Sequence, residues 1–151
     1  MEAGLMPGTG AGPARWEHLG QGPRRVVRGE GRSPEEALEQ AAVALCALVT
    51  DPASVEVREE VEVECDGAVD LDGLLAGWLR ALLHDMAARR LRFRCFAVRV
   101  DGRRLFGLAF GEHVDPARHG AAGSVRGVVP DSAAVRRVAD GRWTAECGVE
   151  V

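Results

Sequence analysis

Two carboxylates and two imidazoles, Glu112, His113, Asp115 and His119, crowd into the segment FGEHVDPARHG at residues 110–120. Side chains of these types bind metals or move protons. A metal-dependent hydrolase using Glu112, Asp115 and His119 would need a ligand set that activates water, and none is evident. Neither Glu-x-x-Asp nor His-x5-His is a recognised spacing for a closed metal site. Asp115 followed by Pro116 reads more simply as a helix N-cap with proline at the first helical position.

A second group is cationic. Arg90, Arg92, Arg94, Arg99, Arg103 and Arg104 fall mostly on alternating positions, so several would share one face of a strand and could meet phosphates. A solvated face is the plainer expectation for such a run. No G-x-S-x-G, P-loop or strand-linked G-x-G-x-x-G is present, and His18 and His84 stand apart from the other two histidines.

Positioning these residues falls to elements that the patterning marks out. Ser33 is placed to cap a helix, with Pro34 at its first position and Glu36 closing a capping box. Leu38, Ala41, Ala42, Leu45, Leu48 and Val49 then recur at steps of three and four, which predicts one buried helical face within SPEEALEQAAVALCALVTD. DLDGLLAGWLRALLHDMAARR predicts a second helix through Leu71, Leu74, Leu75, Trp78, Leu79, Leu82, Leu83 and Met86, with acids in the first turn and arginines in the last. VEVREEVEVEC alternates valine with charge, as a half-buried strand does. LRFRCFAVRVDG and RRLFGLAFGE read as a hairpin around Asp101-Gly102. RRVVRGEG precedes the first helix as a strand, and SVRGVV, AVRRVAD and RWTAECGVEV follow as three short ones. The expected fold class is α+β, a two-layer sandwich of two helices on one mainly antiparallel sheet.

The chain of 151 residues is long enough for one domain with its own core. Residues 1–14, rich in Gly and Pro, read as a disordered tail, leaving 15–151 as the domain. No apolar run approaches the roughly 18 residues of a membrane span. Cys46, Cys65, Cys95 and Cys147 lie far apart without a C-x-x-C pair, which suits a reduced, cytoplasmic chain. The net charge of −4 gives no steering field toward nucleic acid.

Taken in order, WEHL at 16–19, the SPEEALEQAAVALCALVTD and DLDGLLAGWLRALLH helices, FGEHVDPARHG, SVRGVV and WTAECGVEV resemble the archease family, accessory proteins of RtcB-type RNA ligases. Gly111, Glu112, Asp115, Arg118, His119 and Gly120 match the family's G-E-x-x-D-x-x-R-H-G turn. The resemblance implies an accessory protein and not an enzyme, one that promotes ligase guanylylation and turnover in tRNA splicing or RNA repair. It implies a metal surface on Glu150, the terminal carboxylate of Val151 and Glu112, taking calcium or another divalent cation. It places partner binding on Arg24, Glu112, Arg126 and Asp131.

The chain departs from the family at the same places. The H-T-A-D stretch falls on Gln21, Gly22, Pro23 and Arg24, putting a cation where a carboxylate ligand is expected. V-K-A-V-T-Y-H falls on Val125 to Asp131, with Arg126 for the lysine, and Glu150 stands for the terminal aspartate. Cation binding is therefore expected to be weak or absent. The alternative is a divergent archease fold without ligase activation, serving as a protein-interaction module.

Overall fold

The computed structural model describes residues 14–120 and 123–151. The expected tail therefore lies outside the described residues except for Ala14. Seven strands and two long helices follow in order: β1 (Arg15–Leu19), β2 (Arg24–Gly31), α1 (Pro34–Ala47), β3 (Glu59–Cys65), α2 (Leu71–Ala88), β4 (Leu91–Asp101), β5 (Arg104–His113), the short α3 (Pro116–His119), β6 (Gly127–Arg137) and β7 (Trp143–Glu150). A 3-10 turn spans Pro52–Ser54.

The α+β class and the antiparallel pairing are as expected, but the strands divide between two sheets where one was expected. One has the order β1-β2-β7-β6 and the other β3-β5-β4. The helices do not cover a single sheet. α1 packs against both β2 and β4, and α2 against both β6 and β3. Local periodicity specifies which face of a strand is buried, not which strand it pairs with.

Capping chemistry sets the helix starts. The Glu36 amide donates to Ser33 Oγ at 3.1 Å, and the Glu36 carboxylate reaches back to the Arg32 amide at 2.8 Å. Asp70 caps α2 by accepting from the Gly73 amide at 2.9 Å. The arginines expected in the last turn of α2 sit just beyond it: Arg89 is the C-cap, and Arg90 follows with a φ of 54°.

A single core joins both sheets through the helices. Trp78 is fully buried, meets Phe96 edge-on and donates its indole N–H to the Leu38 carbonyl at 3.1 Å. Two glycines permit close approach. A Cβ on Gly107 would stand 2.4 Å from the Trp78 ring, and one on Gly29 would stand 2.2 Å from the α1 backbone at Ala37 and Ala41. The β4–β5 hairpin turns at Gly102, whose φ of 62° is one that a two-residue loop demands.

Candidate functional site

The segment at 110–120 folds into a closed ion-pair knot. Glu112, at the end of β5, is only 3% exposed. Arg118 grips its carboxylate at both oxygens, at 2.5 and 2.9 Å. The Glu56 amide donates to it at 2.7 Å and His119 Nε2 at 3.0 Å. The buried His119 is oriented by its other nitrogen, since Nδ1 accepts from the Asp115 amide at 2.9 Å. That bond leaves Nε2 as the donor toward Glu112. Arg118, foremost, holds the Glu112 carboxyl far below the usual carboxylate range.

Asp115 caps α3 as expected, accepting from the Ala117 amide at 3.1 Å and from Arg118 Nε at 3.1 Å. His113, on the exposed side, pairs with Glu59 instead. Every member of the hydrolase constellation is thus engaged in holding the turn together. Among the described residues, no group of three or more His, Cys, Asp or Glu side chains is arranged to hold a metal ion.

A different cluster forms at one end of the four-stranded sheet. Arg24 on β2 stands opposite Glu150 on β7, which stands opposite Gly127 on β6. Arg24 Nη2 reaches Glu150 Oε2 at 3.4 Å, with both side chains more than half exposed. The Arg126 amide donates to the Glu150 carbonyl at 2.6 Å, and the Val151 amide to the Pro23 carbonyl at 2.8 Å. The fold therefore brings Arg24, Arg126, Glu150 and Val151 together. Asp131 is exposed where β6 slips register against β7 between Val129 and Ala134. Glu112 belongs to the other sheet, with its carboxylate engaged as described.

The arginine run does not form one stripe. Arg94 donates to the Val55 carbonyl at 3.0 Å, while Arg99 and Arg104 lie over the Phe106 ring at 5.2 and 5.0 Å. Sequence patterning also missed a charged network on β1, β2 and β7. The buried Glu30 accepts from Arg15 at 3.0 Å and Arg142 at 3.2 Å, and Arg28 reaches Glu146 at 3.2 Å. Hydrogen bonding from Arg15 holds the Glu30 carboxyl below its ordinary value. Charge at the alternate positions Arg24, Arg28 and Glu30 was the available signal, but it reads equally as a solvated strand face.

Residues 25–151 match the model of the Archease protein family. The chain belongs to the archease family. It is 36% identical to the archease of Pyrococcus abyssi over 138 residues, covering 87% of this chain and 95% of that one. To the archease of Methanopyrus kandleri it is 36% identical over 140 residues, covering 90% and 99%. The solution structure of a Methanobacterium thermoautotrophicum protein superposes with a TM-score of 0.75 at 25% identity, covering 90% of this chain and 98% of that one. A Thermotoga maritima crystal structure, described as an archease and possible chaperone, shares the fold with a TM-score of 0.56 at 12% identity, over 83% and 89% of the two chains.

In this archease, a hard divalent cation finds a poor fit. Such a cation takes six to eight oxygen ligands. The Glu150 carboxylate already engages a guanidinium, Arg24 offers only donors, and the Glu112 oxygens are occupied by Arg118, His119 and a backbone amide. The sheet end is built for pairing between charged side chains, not for wrapping a cation in oxygens.

Proposed function

We propose that this archease is an accessory factor of an RtcB-type RNA ligase, acting in the cytoplasm to promote ligase guanylylation and turnover in tRNA splicing or RNA repair. It carries out no complete reaction of its own. The observation that carries this reading is the joining of Arg24, Arg126 and Glu150 at one exposed sheet end in a chain of this family. Exposed charges at such an end set partner choice and encounter rate more than raw affinity. The partner surface comprises Arg24, Arg126, Asp131 and Glu150; Glu112, on the other sheet, holds the 112–119 turn.

The test is a guanylylation and multiple-turnover assay of the cognate ligase with and without the full chain. Acceleration by the wild type, reduced in Arg126→Glu, is expected. Equal rates with and without the chain would overturn ligase activation and favour the interaction-module alternative. Calcium or manganese should bind the wild type at millimolar strength or weaker, on the order of the weakest oxygen-ligand sites. Arg24→Asp, alone or with Glu150→Asp, is expected to tighten that binding in titration calorimetry. Tight binding by the unaltered chain, indifferent to both changes, would put the cation elsewhere.

A further inference from the structure

We propose that the cavity between the end of α2, the start of β4 and residues 123–125 is a binding site for a phosphate monoester with an apolar or ring-bearing body, such as a mononucleotide. Its phosphoryl oxygens are received by the guanidinium groups of Arg90 and Arg92. The cavity measures about 260 Å³, and its walls include Arg90, Arg92, Ser124, Leu83, Met86 and Val125. That is slightly below the roughly 300–1,000 Å³ of small-molecule pockets, so it takes a phosphoryl group and part of the body attached to it.

Two independent features point to an anion. The first is Arg92, which is partly buried. Its Nε donates to Thr50 Oγ1 at 3.1 Å and its Nη1 to the Leu91 carbonyl at 2.8 Å, so neutral acceptors fix the guanidinium in place. Among the described residues it has no acid partner, and no carboxylate lines the cavity. The buried Arg142 differs, for it faces the Glu30 carboxylate at 3.2 Å. A charge removed from water is ordinarily paired. Burial pushes the Arg92 pKa below the usual guanidinium value, and the nearby Arg90 charge acts in the same direction. An oxyanion between them relieves both effects.

The second feature is Arg90. Among the described residues it is the one non-glycine with positive φ, at 54°, and it sits just past the C-cap of α2. Glycine is favoured there because it lacks the Cβ that crowds the left-handed conformation. The Val114 amide donates to the Arg90 carbonyl at 2.9 Å and holds this backbone in place. An arginine kept where glycine is cheaper points to a use for its side chain. Ser124 adds a hydroxyl donor, and Leu83, Met86 and Val125 provide an apolar wall for the rest of the ligand. The proposal is independent of any ligase, so either reading can fail alone.

The test uses the full chain at low salt, with inorganic phosphate and AMP as probes, followed by calorimetry and phosphorus NMR. AMP should bind the wild type, and Arg90→Gly and Arg92→Gln should each weaken it about tenfold or more, the loss of a charge-assisted hydrogen bond. Arg90→Gly separates binding from folding, because glycine relieves the backbone and the melting temperature should hold or rise. Arg103→Gln, an exposed hairpin change of the same charge, should leave affinity unaltered. Equal affinity for inorganic phosphate would assign recognition to the phosphoryl group alone, whereas preference for AMP would assign part to the apolar wall. Preference for AMP supports the site as proposed, and equal affinity for the two probes would overturn the apolar or ring-bearing body. No binding of either probe by the wild type, equal weakening in Arg103→Gln, or undiminished affinity in Arg90→Gly would overturn it.

Discussion

Glu112, next to last in β5, holds a bidentate arginine, a histidine N–H and a backbone amide around one carboxylate. Removing one partner from such a set leaves the others unsatisfied, which costs more than the pair gains. Glu112→Gln is therefore expected to destabilise the chain by about 2–3 kcal/mol at neutral pH, read by urea denaturation. The pH dependence has a definite sign. The folded chain keeps Glu112 ionised well below the ordinary value of 4.5. The unfolded chain takes up the proton first, so this stabilisation is present above about pH 4.5 and drains away as pH falls further. Glu112→Gln should flatten that acid limb, and an unchanged limb would show that Glu112 is not its source. The Asp115-Pro116 cap was legible in the sequence because capping is local. The return of Arg118 and His119 onto Glu112 was not, since it depends on how sharply α3 turns back.

At the scale of elements, the capping box at Ser33, the apolar face of α1 and the Asp101-Gly102 hairpin followed from spacing alone. Two strands did not. β1 is short, and its His18 spends its ring nitrogen on the Ala44 carbonyl of α1 at 2.7 Å, a contact no period encodes. SVRGVV and AVRRVAD read as separate strands, yet β6 is one strand that takes in part of each, with Pro130 inside it. Ser132 bridges the break by donating to the Val129 carbonyl at 2.6 Å and accepting from the Gly148 amide at 2.7 Å, replacing ladder bonds lost at the register shift. The contact of α1 with β2 rests on Gly29, where any Cβ would enter the helix backbone. Gly29→Ala should cost about 1–3 kcal/mol by forcing the helix outward. Gly127→Ala, with open space around it and no left-handed φ, should be near neutral. Equal melting temperatures for the two variants would show that the packing distance is not set at Gly29.

At the scale of the whole molecule, the division of strands between two sheets was the least legible feature, because pairing joins segments far apart in the chain. β2 near the start pairs with β7 at the end, while β3, β4 and β5 pair among themselves. The sheets are not independent bodies. α1 and α2 each pack against both, and the core is one continuous cluster from Val27 through Trp78 to Val149. A shared core predicts a single cooperative transition. Three tryptophans report on it from different places: Trp16 on β1, Trp143 on β7 and the buried Trp78 on α2. Fluorescence and far-ultraviolet circular dichroism should give coincident urea curves. A chain starting at Ala14 should behave the same way, because the first strand begins at Arg15 and the Arg15–Glu30 pair is retained. Its melting temperature should match that of the full chain within about 2 °C, a shift worth a fraction of a kcal/mol for a chain of this size. Separate transitions for the two probes would mean that the helices do not couple the sheets. A large drop on truncation would assign the Gly- and Pro-rich segment a packing role that its composition does not suggest.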